Sequence, residues 1–208
     1  GNNMDLLEAY EKRRSVNFFL KGKEIPQDVL ENIINKAVLA PSAFNLQPWE
    51  IVVVKSKENK EKLCKLSNNQ EKILDGSLTL MIVGNKNGFA TDSPVWDEML
   101  VSLGGNKEAV AGAQGAAGFL YGSSEERKIK FAESNAGLLG MSIMNMATYY
   151  GVDSHPMSGV DFEGIERDFN LGEGKNLVML IVLGYFDKSK ALYPRRPRRL
   201  YKDIAKEI

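Results

Sequence analysis

Three short apolar runs limit what this chain can fold into more than any other feature of its sequence. They cover residues 51–54, 78–83 and 177–183, and β-branched side chains are frequent in each. A strand that is apolar on both faces has to be covered on both sides. Since helical patterns separate the three runs, we expect an α+β fold in which helices wrap a central mixed β-sheet.

Helical patterns fill the intervals between these runs. We expect helices over residues 4–14, 28–39, 57–66, 96–103 and 127–150. The second half of the last pattern, residues 138–146, is apolar nearly all round, which is typical of a helix buried in a core or in a subunit interface. Because no internal repeat or linker interrupts the chain, we expect a single domain over residues 1–208.

Composition and charge exclude several classes of protein. With 43% hydrophobic and 26% charged residues, the chain can bury a substantial core and is not of the disordered class. Its 27 basic and 27 acidic residues leave no formal net charge, which argues against an extended surface for nucleic acid or anionic membrane. The sequence contains no secretory signal and no apolar run of membrane-spanning length, so we expect a cytoplasmic protein.

The single cysteine and the single histidine restrict the chemistry further. Cys64 has no partner for an intramolecular disulfide, and its place beside Leu63 predicts a small apolar side chain in the core of a helix. His155 alone leaves little basis for a zinc site or a Ser-His-Asp triad, and we interpret it as a structural residue.

A proline-bounded loop joins the second helical pattern to the first apolar run. Pro41 and Pro48 fix φ and favour extended backbone in the residues before them, so we expect a rigid segment. Asn45 and Gln47 lie two residues apart, and on extended backbone they would point to the same side and offer donors and acceptors to a flat ligand with polar edges. The alternative is an ordinary helix-to-strand loop whose amides bond to their own backbone.

Glycines at positions 112, 115 and 118 have the spacing G-x-x-G-x-x-G rather than G-x-G-x-x-G. Because the segment also lacks a βαβ context, a Rossmann dinucleotide site is not indicated. We interpret residues 104–122 as a flexible or closely packed segment that is rich in glycine and alanine.

Four motifs, in the order in which they occur here, resemble the nitroreductase family. They are Arg13 with Ser15, the Pro-Ser-x-x-Asn-x-Gln-Pro-Trp pattern at 41–49, Pro-Met-Ser-Gly at 156–159, and a basic tail at 195–199. The second motif is the specific one, and the four together span nearly the whole chain. The resemblance implies an intertwined homodimer that binds FMN at its interface, with the C-terminal segment of each subunit exchanged onto the partner's sheet.

The resemblance places the FMN phosphate at Arg13 and Ser15. A phosphate calls for cationic donors with the fork geometry of a guanidinium. Arg14 is a further candidate for binding the cofactor. For Arg14 and Arg195, however, we prefer the interpretation as solvated surface charge. The further phosphate contacts implied in the tail are Arg196, Arg198 and Arg199.

The flavin ring is implied to lie among a second group of residues. Asn69 aligns with the family's amide at the pyrimidine edge of the ring, and Lys72 aligns with a cation near that edge, although a solvated helix lysine is the alternative. Many relatives have a second cation where this chain has Asn17, so one charge is missing here. The remaining contacts implied by the resemblance are Pro41, Ser42, Ala43, Asn45 and Gln47 of the partner's loop, and the backbone of Pro156, Met157, Ser158 and Gly159. In the family, the region that corresponds to residues 104–122 partly covers the flavin and shapes substrate access.

The implied activity is that of an FMN-dependent oxidoreductase. NAD(P)H passes a hydride to the flavin N5, and an electron-poor acceptor such as a nitroaromatic or a quinone then takes it in a ping-pong sequence. The cofactor supplies this chemistry, so we assign no catalytic side chain and no metal ligand. The alternative is a non-catalytic FMN-binding module, such as a reservoir or a sensor. In such a module the segment 104–122 would close the flavin site.

Overall fold

A four-stranded antiparallel sheet forms the centre of the fold. The computed structural model describes residues 4–208. The strands are β1 (Trp49–Val54), β2 (Leu78–Asn85), β3 (Asp153–Met157) and β4 (Lys175–Gly184). They are arranged in the order β1-β2-β4-β3, so that β2 and β4 are central and β1 and β3 form the edges.

Helices cover both faces of this sheet, and a short 3₁₀ turn at Ala43–Asn45 precedes β1. The helices of the described chain are α1 (Leu6–Lys12), α2 (Gln27–Ala37), α3 (Lys57–Lys65), α4 (Lys72–Asp75), α5 (Pro94–Ser102), α6 (Lys107–Gly122), α7 (Glu125–Tyr149), α8 (Phe162–Asp168) and α9 (Tyr201–Ile204). No helix within the described residues is both long and apolar enough to cross a membrane.

The expected α+β architecture is confirmed, but the sheet of this chain is not mixed. All three strand ladders are antiparallel. The one parallel pairing within residues 4–208 is an isolated bridge between Ser15 and Ser154 at the edge strand β3. The prediction was wrong on this point because the apolar pattern of a strand reports burial and carries no information on the direction of its neighbour.

The three predicted strands differ in how far they are buried. Every residue of β2 except Asn85 is buried, as expected for a strand covered on both faces. The second half of β4 is buried in the same way. By contrast β1 is an edge strand, and 38% of the surface of Val53 is exposed. The expectation of burial on both faces is therefore wrong for β1 within a single chain.

The edge strand β3 has no counterpart among the predicted strands. Its sequence, Asp-Ser-His-Pro-Met, is short and mostly polar, so it lacks the apolar pattern that identifies a strand. Pro156 is compatible with this position because an edge strand leaves one row of N–H groups without a ladder partner.

Helix α7 packs directly onto the sheet. A Cβ atom added to Gly84 of β2 would lie 3.0 Å from the carbonyl oxygen of Ala132, and one added to Gly140 would lie 3.1 Å from the sulfur of Met179. Leu139 and Ile143 are fully buried on this face, in agreement with the expected burial of residues 138–146, whereas 47% of the surface of Leu138 is exposed. Small residues thus allow the helix axis to approach the sheet closely.

Residues 107–122 of the glycine-rich segment form a regular helix, so the flexible alternative is wrong for this part of the segment. Asn106 caps the first turn of α6 by accepting a hydrogen bond from the Ala109 N–H at 3.0 Å. Alanine favours a helix, and this preference together with the cap outweighs the cost of the glycines. Ala117 and Tyr121 of α6 are buried in a small apolar cluster with Leu46 and Trp96, separate from the two clusters that line the sheet.

Cys64 and the C-terminal tail lie at opposite extremes of burial. Cys64 is buried in α3, as expected, and burial raises the pKa of its thiol. The last 20 residues, 189–208, are exposed, and they include the apolar side chains of Leu200, Tyr201 and Ile204.

Candidate functional site

The segment after α1 brings the first group of predicted site residues to the edge of the sheet. Helix α1 ends at Lys12, and Arg13 has extended backbone angles, with φ −62° and ψ 123°. The Val16 N–H then donates to the Ser154 carbonyl of β3 at 3.1 Å. Because this segment runs beside the edge strand, Arg13, Ser15 and Asn17 all reach the same surface cavity.

The C-terminal tail folds back over the end of α1. The Arg195 guanidinium donates from Nη2 to the carbonyl oxygens of Glu11 at 2.7 Å and Arg13 at 3.0 Å. Arg14 donates to the Tyr193 carbonyl, which ties the two segments together from the opposite direction. These contacts bring the basic tail to the Arg-x-Ser motif although more than 180 residues of sequence lie between them.

A cavity of about 230 Å³ lies between these segments. It is lined by Arg13, Arg14, Ser15, Asn17, His155, Tyr193, Pro194, Arg195, Arg196 and Arg198. Among these lining residues there are five arginines and no carboxylate, and no salt bridge within residues 4–208 involves any of the five.

The arginines of the cavity repel one another. Burial lowers the pKa of Arg13, and the charges of Arg195, Arg198 and Arg14 lower it further. A lowered pKa means that the protonated guanidinium is destabilised relative to water. An anion in the cavity would offset this repulsion and accept the fork-shaped donors, so the site is suited to a phosphate or a carboxylate.

Two tail residues are placed differently from expectation. Arg195, interpreted as solvated surface charge, lines the cavity and is fixed to the end of α1. Arg199 is not among the lining residues and instead donates to the Asp203 carbonyl at 2.8 Å. Residues 195–199 belong to no helix or strand, so their sequence had no periodicity from which to read which side chains face inward.

His155 of β3 lies at the inner wall of the same cavity. Its Nδ1 is 2.8 Å from the Val16 carbonyl oxygen, which can only accept, so Nδ1 carries a proton. Burial lowers the pKa of His155, and the charge of Lys72 lowers it further. Sequence reasoning did not include His155 among the site residues; the only signal was its position next to Pro156.

A second group of predicted residues meets at the end of β3. The Gly159 carbonyl accepts hydrogen bonds from Asn68 Nδ2 at 2.7 Å and from Gln70 Nε2 at 3.2 Å. Lys72 Nζ lies 3.3 Å from Gln70 Oε1, and burial lowers its pKa.

The structure therefore brings Lys72 and Gly159 into one neighbourhood. Asn69 lies in the turn between Asn68 and Gln70 and has a left-handed φ of 53°. Met157 is buried, so it can contribute to a site on this surface mainly through its backbone. Asn68 and Gln70 were missed, although both flank the predicted Asn69.

The loop at 41–49 is tightly turned where extended backbone was expected. Phe44, Asn45 and Gln47 have left-handed φ angles of 58°, 52° and 49°. The shared face expected for Asn45 and Gln47 is therefore wrong, and the alternative of local bonding holds for Gln47, whose Nε2 donates to the Asn45 carbonyl at 3.0 Å. Ser42 Oγ accepts from the Gln47 N–H at 3.0 Å, and such short polar side chains stabilise turns.

None of the loop residues 41–47 lines the arginine cavity of the same chain. The loop packs instead against α6 and α7, where Leu46 is buried beside Tyr121. Apart from Arg199, the predicted site residues thus lie in three places: around the arginine cavity, at the end of β3, and in this loop.

Comparison with known proteins identifies the family to which the chain belongs. Residues 10–185 match the model of the Nitroreductase family. MhqN of Bacillus subtilis (strain 168), provisionally named an NAD(P)H nitroreductase, is 32% identical over 189 residues, which cover 90% of this chain and 91% of MhqN.

Solved structures share the fold. A protein from Staphylococcus epidermidis, provisionally named an NAD(P)H:FMN oxidoreductase, has a TM-score of 0.89 at 25% identity and covers 100% of this chain and 98% of its own. A nitroreductase, likewise provisionally named, from Exiguobacterium sibiricum was crystallised in complex with FMN; its TM-score is 0.84 at 24% identity, with 100% and 99% of the two chains covered, and at this identity it bears on the fold alone. The chain described here belongs to the nitroreductase family.

Proposed function

We propose that this protein is an FMN-dependent oxidoreductase that acts as a homodimer, takes a hydride from NAD(P)H and delivers it to an electron-poor acceptor such as a nitroaromatic or a quinone. The observation that carries the proposal is the cavity in which five arginines converge without a carboxylate among the described lining residues. The names of MhqN and of the Staphylococcus epidermidis protein support the coenzyme and the flavin.

The cavity fits the phosphate end of FMN. A phosphate monoester carries nearly two negative charges at neutral pH, and guanidinium forks bind such oxygens in pairs. Arg13 and Ser15 supply one guanidinium and one hydroxyl from the N-terminal segment, and Arg196 and Arg198 supply two more guanidiniums from the tail. The repulsion that lowers the pKa of Arg13 would be relieved by this ligand. Arg14 and Arg195 are held by backbone carbonyls of the other segment and would act mainly through their charge, whereas Arg198 donates from Nη1 to the Arg196 carbonyl of its own segment and keeps Nη2 for the ligand.

The ring end of the ligand would lie toward the end of β3. Lys72, Asn69 and the backbone of 156–159 present a partly buried cation and polar groups there. A cation in such a place stabilises negative charge on a neighbouring group. Asn17 lines the cavity and contributes an amide in place of a second cation. Bound FMN supplies the hydride chemistry itself, and the residues of this chain bind and orient it.

A second subunit would complete the site. The cavity of one chain, at about 230 Å³, is below the roughly 300 Å³ at which ligand pockets usually begin. The loop with Pro41, Ser42, Ala43, Asn45 and Gln47 does not line it. We propose that this loop closes the ring end of the partner's site. The free edge of β1 and the exposed tail provide surfaces on which two chains can associate.

The absorption spectrum of the purified protein tests the cofactor directly. We expect a flavin band with about one FMN per chain, released on denaturation and identified by mass. A colourless protein that does not bind added FMN would refute the proposal.

Turnover distinguishes the enzyme from the reservoir or sensor module. We expect NADH or NADPH to bleach the flavin, and steady oxidation of that coenzyme once a nitroaromatic or a quinone is added. A protein that holds FMN but shows neither bleaching nor oxidation would instead be the non-catalytic module.

A further inference from the structure

The peptide groups of Ala43 are held from two sides at the start of the 41–47 loop. The Tyr121 hydroxyl of α6 donates to the Ala43 carbonyl at 2.6 Å. Asn135 Oδ1 of α7 accepts from the Ala43 N–H at 3.4 Å, a longer and weaker bond. Asn135 is itself fixed, because its Nδ2 donates to the Phe131 carbonyl at 2.6 Å.

The residues that follow Ala43 are in unfavourable backbone conformations. Phe44, Asn45 and Gln47 all have φ near +50°. Such angles are disfavoured for residues with a side chain, most of all for a bulky one such as Phe44, and they persist only where the surrounding structure holds them. The local bonds of Ser42 and Gln47 close the far end of the turn. Tyr121 and Asn135 hold the near end.

Tyr121 is well placed to act as a fixed anchor. Its side chain is 1% exposed, its ring stacks on Phe131 with centroids 4.6 Å apart, and Phe89 lies at 5.9 Å. Burial raises the pKa of Tyr121 to about 12, and the Asn135 amide lowers it in part. The hydroxyl therefore stays protonated, and remains a donor, over the whole physiological range of pH.

We propose that Tyr121 and Asn135 are positioning residues for flavin binding: together they lock the left-handed 41–47 loop in the shape that receives the ring of the cofactor. The inference rests on the proposed function, since it assigns a role toward FMN. It also assigns a role to α6. Because Tyr121 belongs to this glycine-rich helix, the helix would affect the affinity for the cofactor through the loop that it anchors. Neither side chain lines the arginine cavity, so the effect is separate from phosphate binding.

Removal of the hydroxyl by Tyr121→Phe tests the proposal. We expect the Kd for FMN, measured by quenching of flavin fluorescence well below the melting temperature, to rise about fivefold to tenfold, the order for one lost buried hydrogen bond. Riboflavin, which lacks the phosphate, should lose affinity by the same factor. Asn135→Ala should have an effect in the same direction, and smaller because the bond to Ala43 is long.

Tyr185→Phe is the matched control. It removes the same atom from a partly buried tyrosine that packs under Lys23, at the edge of a different apolar cluster. We expect it to leave both affinities unchanged.

The outcomes separate the possible failures. If Tyr121→Phe lowers the melting temperature but binds FMN as tightly as the control Tyr185→Phe, then Tyr121 is only structural and the inference is overturned. If it weakens FMN but not riboflavin, the loop is not the cause and the inference is again overturned. Should Tyr121→Phe fail to fold, Asn135→Ala decides by the same criteria. A wild-type protein that binds no FMN would refute the proposed function instead.

Discussion

Arg13 shares the cavity with four other arginines, and this makes its substitution informative. Burial lowers the pKa of Arg13, and the nearby charges of Arg195, Arg198 and Arg14 lower it further. We expect Arg13→Ala to weaken FMN binding roughly thirtyfold, or about 2 kcal/mol, the order for a lost hydrogen bond to a charged group. Riboflavin, which has no phosphate, should bind with nearly unchanged affinity. Calorimetric titration of both ligands measures the two values.

Cys64→Ser serves as the control for this substitution. Cys64 is buried in α3 and lines no part of the arginine cavity. Its Sγ donates to the Gln70 carbonyl, and because the hydroxyl of serine can make the same bond, Cys64→Ser should leave the affinity for both flavins as in the wild type. Equal losses of FMN affinity in the two variants would show that the phosphate does not bind at Arg13.

The lowered pKa of His155 predicts how the stability of the ligand-free protein depends on pH. Burial and the charge of Lys72 lower its pKa below the ordinary value of 6.5, so the unfolded chain takes up a proton at higher pH than the folded one. The stabilisation is therefore complete above pH 6.5 and is lost as the pH falls toward the folded pKa. We expect the free energy of unfolding of the wild type to fall relative to His155→Gln across this window. Urea unfolding of both at several pH values is the measurement, and parallel curves would contradict it.

At the scale of elements, two glycines distinguish an open helix surface from a crowded contact between a helix and the sheet. Gly115 of α6 is exposed, and an added Cβ would meet nothing within 4 Å. We expect Gly115→Ala to raise the free energy of unfolding by about 0.5–1 kcal/mol, because alanine loses less backbone entropy in a helix.

Gly84→Ala should have the opposite effect. Its Cβ would lie 3.0 Å from the Ala132 backbone, where α7 rests on β2, and neither main chain can move aside freely. A loss of about 1–3 kcal/mol is the order expected for such overpacking. Chemical denaturation of the two variants checks both signs, and a stabilised Gly84→Ala protein would mean that α7 does not contact the sheet this closely.

What the sequence could predict at this scale depended on periodicity. The apolar runs of β2 and β4 and the long pattern of α7 were identified because burial leaves a repeated signal. The strand β3 was missed because it is short and polar. The regular helix α6 was missed because its glycines hid a favourable alanine content and an Asn106 cap.

The candidate site shows the same division. The resemblance to the family pointed to Arg13, Ser15 and Lys72, and the structure places the first two at the arginine cavity and Lys72 beside Gln70. The left-handed turn at Phe44 was not predicted, since nothing in the pattern distinguishes it from extended backbone. The contacts of Arg195 with the end of α1 join residues more than 180 positions apart, and local pattern carries no information on such distant pairs.

At the scale of the whole molecule, several exposed apolar side chains favour association with a second copy of the chain. Leu200, Tyr201 and Ile204 of the tail are each more than 60% exposed, and Val53 on the free edge strand is 38% exposed. Leu200, Tyr201 and Ile204 lie within five residues of one another, and exposed apolar side chains grouped in this way are typical of an interaction site. We expect light scattering to give the mass of a dimer. A monomer that binds FMN stoichiometrically would contradict the shared site.

Mixed dimers test most directly whether each FMN site is built from two chains. If the phosphate binds at Arg13 as proposed, Arg13→Ala should impair that half of the site. Asn45→Gly removes the loop amide, while glycine retains the left-handed backbone. We expect both homodimers to bind FMN weakly. In a heterodimer of the two, one site receives both defects and the other receives neither.

The decisive measurement is therefore the number of FMN molecules bound tightly by that heterodimer, purified with two different affinity tags. The shared site predicts one FMN per heterodimer with the affinity of the wild type. A heterodimer without a tight site would contradict it, because sites contained within one chain would each carry a defect.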